Sequence, residues 1–219
     1  MGWIEFALAL ALFLFSHAVP VRAPVRPWLV ARVGTQGFTI LYSALSVGVL
    51  AWLIIAAGRA PYVPVWAWAP WQNWVAIAVM LAVCLIVALT LGRPNPFSFG
   101  GPTTGFDPAQ AGLIRYVRHP LLWALALWAA CHGLANGSLA HAGMFIGFVA
   151  FAMLGMRMID RRRQRAMGRE WSELRARTRA ERGPLVLWAR DRVRLLAGAV
   201  VWAVLLLGHG AVIGPTPWP

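Results

Sequence analysis

Ile114-Arg-Tyr-Val-Arg-His-Pro-Leu-Leu-Trp123 is the stretch on which the fold of this chain turns. Two arginines and a histidine stand just before Pro120, and from there to Ala135 no charged residue occurs. Packing alone does not select an Arg-His pair at the mouth of an apolar run. A helix leaving a basic loop and entering a bilayer, with a binding group at its mouth, does. The run closes on Cys131-His132, so two of the five histidines lie thirteen residues apart along one helix.

Working outward, five more apolar windows approach the roughly 20 residues needed to cross about 30 Å of hydrocarbon. With Pro120–Ala135 they are Gly2–Val19, Phe38–Ala57, Trp71–Leu91, Leu139–Ile159 and Val193–Ile213. The first lacks the basic leader of a signal peptide and carries Glu5 instead, so it reads as a retained span. The expectation is an all-α integral membrane protein: one domain over residues 1–219, a bundle of about six transmembrane helices with a basic cytoplasmic amphipathic segment. Sixty per cent hydrophobic residues and thirteen tryptophans agree with that class.

All twenty basic residues are arginine, and the net charge is +13. Nucleic-acid binding needs a basic soluble face, whereas these arginines sit in segments between apolar runs. Arg22, Arg26 and Arg32 follow the first span, Arg93, Arg115 and Arg118 follow the third, and thirteen more fall between Arg157 and Arg194. Arg59 alone lies on the alternate side. The positive-inside rule then puts the three basic segments in the cytoplasm and both termini outside, on the periplasmic side of a bacterial inner membrane. Trp3, Trp66, Trp68, Trp71, Trp74, Trp202 and Trp218 mark the interfaces, and Pro61, Pro64 and Pro70 make the outer loop between the second and third spans a stiff cap.

Asp160 to Arg182 has helical composition with dense arginine and reads as a segment along the headgroups, ended by Gly183-Pro184, after which Leu185-Val-Leu-Trp188 re-enters the interface. Pro94-Asn-Pro-Phe-Ser-Phe-Gly-Gly-Pro102 excludes regular structure and reads as a connector or as a lid over a site. Gly133, Gly137, Gly143, Gly147 and Gly155 offer close helix contact or a flat wall against a planar ligand. Cys84 and Cys131 form no metal spacing and read as buried apolar residues, with Cys131 singled out by its neighbour His132.

The histidines carry the chemistry. Ionisable groups inside spans are costly and concentrate at functional sites. The alternating span directions place His17 and His119 together near the cytoplasmic ends. His132 falls about 20 Å further out at 1.5 Å per residue, with His141 and His209. Two imidazoles at one depth suit bis-histidine ligation of a planar haem. Arg22, Arg26, Arg115 and Arg118 surround the inner pair and would meet its propionates. The outer trio reads as a metal site, a proton relay or three surface histidines. No HExxH or HxE…CxxC pattern occurs, which speaks against zinc protease or deaminase chemistry.

The motifs Phe15-Ser-His-Ala-Val-Pro-Val-Arg22, Pro94-Asn-Pro-Phe-Ser98, Arg118-His-Pro-Leu-Leu-Trp123 and Asn136-Gly-Ser-Leu-Ala-His141 resemble, as a set, the NnrU family of bacterial membrane proteins. That family is named for its association with nitrite and nitric oxide reduction in denitrifying bacteria. The chain is also similar to 15-cis-zeta-carotene isomerase, a membrane enzyme with haem b, on His17, Arg118-His119-Pro120 and His132. That resemblance implies haem b ligated at His17 and His132, where depth alone pairs His17 with His119. A cysteine implicated in the isomerase is Ala129 here. A looser similarity joins Arg118-His119-Pro120 and Gly168-Arg-Glu-Trp-Ser-Glu-Leu174 to isoprenylcysteine and phospholipid methyltransferases, which implies S-adenosylmethionine instead.

The expected function is therefore a haem b membrane protein, with His17, His119 and His132 as candidate iron ligands and Arg22, Arg115 and Arg118 as cofactor partners. It would be isomerase-like toward an apolar substrate or an accessory of nitrite and nitric oxide respiration. The rivals are a membrane methyltransferase and a non-enzymatic partner of a respiratory complex.

Overall fold

The computed structural model describes residues 2–181 and 189–219. Among them are seven α-helices: α1 Gly2–Ala18, α2 Val25–Arg59, α3 Pro70–Thr90, α4 Pro120–Ala135, α5 Leu139–Met167, α6 Arg169–Ala180 and α7 Ala189–Val212. Two short 3-10 turns, Pro108–Gln110 and Gly112–Arg115, precede α4, and no strand is present among the described residues. Four helices are long and apolar enough to cross a membrane: α2, α3, α5 and the Asp191–Val212 part of α7. The apolar helices α1 and α4 are shorter, at 17 and 16 residues. The expected re-entry at Leu185–Trp188 and the stop at Gly183-Pro184 lie outside the described residues.

The apolar windows locate the helices, and the helices outrun the windows on their polar sides. α2 begins at Val25, so most of what reads as a basic loop after the first span is helical. The helix kinks within this stretch at Gly34, whose φ of 74° only glycine adopts without strain. In the same way α5 carries its arginines on to Met167 as one continuous helix, and only a turn at Gly168 separates α6. The basic segment from Asp160 is thus the end of one helix and the whole of another, rather than one unit. α6 buries Trp171 and Thr178 and exposes most of its charged residues.

The chain divides into two compact units. The first comprises Met1–Trp66 with Gly137–Met144. Here α1 packs along α2, and Glu5 accepts hydrogen bonds from Trp52 Nε1 at 3.3 Å and Arg59 Nη1 at 3.4 Å. The proline-rich cap is pinned to the residues before α5: Val65 N donates to the Gly137 carbonyl at 2.7 Å and Leu139 N to the Val63 carbonyl at 2.8 Å. A Cβ on Gly137 would overlap the Trp66 carbonyl oxygen, so the approach requires glycine.

The second unit comprises Ala67–Asn136 and Phe145–Pro219. α3 is central, packing on both α4 and α7. Gly198 lets α7 reach α3 closely, since a Cβ there would stand 3.0 Å from the Ala88 side chain. Trp202, read as an interface marker, also donates its indole N–H to the Ile77 carbonyl of α3 at 3.0 Å. α4 and α5 share a core of Leu122, Ala126, Ala152 and Met156. A second core of Phe97, Ala111, Ile114 and Trp171 joins the loop after α3, the 3-10 turns and α6.

Candidate functional site

The loop Pro94–Pro102 is irregular, as its prolines dictate, and its first half is buried: Asn95, Phe97 and Ser98 are 3%, 0% and 1% exposed, whereas Phe99 is exposed. Burying irregular backbone requires internal partners for its polar groups. Asn95 supplies them. Its Nδ2 donates to the Arg118 carbonyl at 3.0 Å, and its Oδ1 accepts from Phe97 N at 3.0 Å. Ser98 is thereby held against the mouth of α4, where Arg163 Nη2 donates to its carbonyl at 3.3 Å.

His119, just before α4, is 3% exposed and bonded through both ring nitrogens. Nε2 lies 3.0 Å from Asp160 Oδ1, and Arg118 Nη2 donates to Asp160 Oδ2 at 2.7 Å. Burial lowers the His119 pKa below the ordinary histidine value. The charge and hydrogen bond of Asp160 oppose that, and the charge of Arg118 adds to it. In the neutral ring, Nε2 donates to the carboxylate, which can only accept, and Nδ1 accepts from the Ser98 hydroxyl at 3.1 Å. Serine, histidine and aspartate in a chain are the components of nucleophilic catalysis. Ser98 is too enclosed for a substrate to reach, so here the chain of bonds orients the loop, α4 and α5 against one another. Sequence reading singled out His119 and Arg118 but missed Asp160, Ser98 and Asn95. The available signal was Asp160 as the single acidic residue at the end of an apolar run.

His17 and His132 share a different local design. Phe13-Leu-Phe-Ser-His17 and Trp128-Ala-Ala-Cys-His132 both read aromatic, two residues, a small hydroxyl or thiol, histidine. In each, Nδ1 bonds the carbonyl four residues back at 2.8 Å, that of Phe13 or Trp128. The preceding Ser16 Oγ and Cys131 Sγ donate to those same carbonyls at 3.1 and 3.2 Å. The rings lie against their aromatic partners, with centroids 4.2 Å apart for His17–Phe13 and 5.2 Å for His132–Trp128. A carbonyl only accepts, so Nδ1 carries the proton and Nε2 is the basic nitrogen. That is the tautomer of a histidine whose second nitrogen is fixed by the protein and whose first serves as a ligand. His17 belongs to the first unit, and His119 and His132 belong to the second.

The remaining candidates have partners of their own. His141 Nδ1 lies 2.7 Å from Ser138 Oγ, and His209 Nδ1 donates to the Pro215 carbonyl at 2.8 Å. No group of three or more His, Cys, Asp or Glu residues suited to a metal ion occurs among the described residues. Arg115 donates to the carbonyls of Glu181 and Ala109, each at 2.8 Å. Arg22 is exposed, and Arg26 stands 5.5 Å from the Phe38 ring centroid. Gly133 abuts Phe145 and Gly155 abuts Leu122, whereas a Cβ on Gly143 or Gly147 would meet nothing within 4 Å. Cys84 and Cys131 are buried thiols.

Compared with known proteins, residues 5–217 match the family model described as NnrU protein. No curated protein and no solved structure gives a significant match.

Proposed function

The chain belongs to the NnrU family, and from that premise we propose that it is a haem b-binding integral membrane protein serving nitrite and nitric oxide respiration. One observation carries the cofactor: His17 and His132 each direct Nδ1–H to a backbone carbonyl one turn back, which makes Nε2 the basic nitrogen of each ring. Such carbonyl partners fix ring orientation and raise ligand basicity. In this reading His17 and His132 are each a residue that would hold the iron. His119, with both nitrogens engaged, is the group that positions the mouth of α4. The exposed Arg22 supplies a cation for a propionate, with Arg115 and Arg118 as further basic residues.

Haem b, when bound, supplies one-electron chemistry and a coordination position. The chain's own part is to hold that group in an apolar setting. Phe13 and Tyr42 flank the His17 ring, Trp128 and Phe145 flank that of His132, and the carbonyls keep both rings in one tautomer. An apolar substrate or a respiratory partner would approach from the bilayer. The arginine distribution supports a cytoplasmic-membrane location with both termini outside.

The experiment is an absorption spectrum of the detergent-purified protein from haem-sufficient cells. A Soret band is expected in the wild type, abolished or shifted in His17→Ala and His132→Ala and retained in His119→Ala. A colourless wild-type protein, or a band indifferent to His17→Ala and His132→Ala together, would overturn the reading. A colourless protein that binds S-adenosylmethionine would favour a methyltransferase in its place.

A further inference from the structure

Where α3 gives way to its loop, the second unit holds a cavity of about 320 Å3. Its floor is apolar, formed by Phe106, Ala111 and Ile114, which belong to the same core as Phe97 and Trp171. Its rim carries Arg93 and Arg194. Arg93 is paired with Asp191, behind the rim. Arg194 donates through Nη1 to the carbonyls of Ala88 and Leu91, both at 2.9 Å, which fixes its guanidinium at the end of α3. No carboxylate pairs with Arg194 among the described residues. Asp107 also lines the cavity, but its oxygens accept from Ala109 N and Gln110 Nε2 within its own turn. The result is a fixed cation over an apolar floor, beside the ends of two helices long and apolar enough to cross a membrane.

We propose that this cavity binds the phosphodiester of an anionic phospholipid, with the phosphate on Arg194 and the glycerol and first acyl carbons against Phe106, Ala111 and Ile114. A guanidinium held in place loses little freedom on meeting a phosphate oxygen. With Asp107 on the same lining, a singly charged phosphodiester suits the site better than a doubly charged phosphate. The apolar floor selects a molecule with a hydrocarbon portion, and the volume is that of a small ligand pocket. No histidine takes part, so this site stands apart from the haem reading.

The test is native mass spectrometry of the full chain in detergent, titrated with phosphatidylglycerol, phosphatidylcholine and glycerol 3-phosphate. Phosphatidylglycerol is expected to bind in preference to both others. Arg194→Gln should weaken it about tenfold, the loss of one charge-assisted hydrogen bond. Arg192→Gln removes the same charge from an exposed position two residues away and should leave binding unchanged. Gln110→Trp, on the exposed rim, should obstruct the cavity without touching the core, and it carries the test if Arg194→Gln does not fold. Equal binding of the two lipids, binding of glycerol 3-phosphate as tight as that of phosphatidylglycerol, or wild-type affinity in Gln110→Trp would overturn the proposal.

Discussion

His119 Nε2 meets Asp160 Oδ1 at 3.0 Å across 41 residues of sequence, joining the residue that opens α4 to the polar end of α5. Asp160 is shared with Arg118, so two adjacent side chains of the Arg-His-Pro motif converge on one carboxylate. The motif at the mouth of the apolar run is thereby a tertiary clamp as well as a helix start.

Asp160→Asn keeps the size of the side chain and removes its charge, leaving Arg118 without its ion pair. Hydrogen bonds to charged groups contribute about 1.5–3 kcal/mol, so a loss of roughly 2 kcal/mol is expected. Thermal unfolding of the detergent-purified variant, followed by tryptophan fluorescence, measures it. An unchanged Tm would show that the clamp contributes nothing to stability.

The lowered pKa of His119 gives a pH dependence of definite sign. The unfolded chain takes up a proton near the ordinary histidine value of about 6.5, before the folded chain does. Stability is therefore full above that value and is lost as pH falls through it toward the folded pKa. Tm measured between pH 7.5 and 5.5 should decline, and His119→Gln should flatten part of that decline. A wild-type Tm constant over this range would contradict the buried neutral ring.

Two glycines six residues apart, one before α5 and one within it, should respond oppositely. Gly137→Ala drives a methyl group into the Trp66 carbonyl and should cost about 1–3 kcal/mol through forced backbone movement. Gly143→Ala meets open space inside α5 and should be neutral or mildly stabilising, given the helix propensity of alanine. Comparing the two melting temperatures checks both.

Phe97 is wholly enclosed between Phe106 and Trp171, with ring centroids 5.6 and 6.4 Å away. Phe97→Ala should cost roughly 3–5 kcal/mol, the range for removing a large buried aromatic. Limited proteolysis within Gly92–Pro102 should accelerate in parallel; resistance equal to wild type would mean that the loop does not depend on this anchor.

Much of the helical architecture was legible in the chain itself. Uncharged apolar runs mark where helices form, because a long stretch of such residues must bury its backbone polar groups in its own hydrogen bonds, and Pro120 marks one start; Pro70, read with the outer cap, instead opens α3. The windows failed where helices extend into charged sequence, at Val25–Gly37 and Asp160–Met167, because hydropathy reports the solvent a helix sits in and not the helix itself. The aromatic-x-x-Ser/Cys-His repeat at His17 and His132 was present in the letters, yet its meaning depends on which nitrogen meets the carbonyl. Only tertiary structure decided that Asp160 closes on His119, that Asn95 and Ser98 are buried beneath them, and that Arg194 overhangs a cavity. Those partners lie tens of residues apart, and their meeting is set by the register in which helices pack, a property of facing side chains that no local spacing encodes.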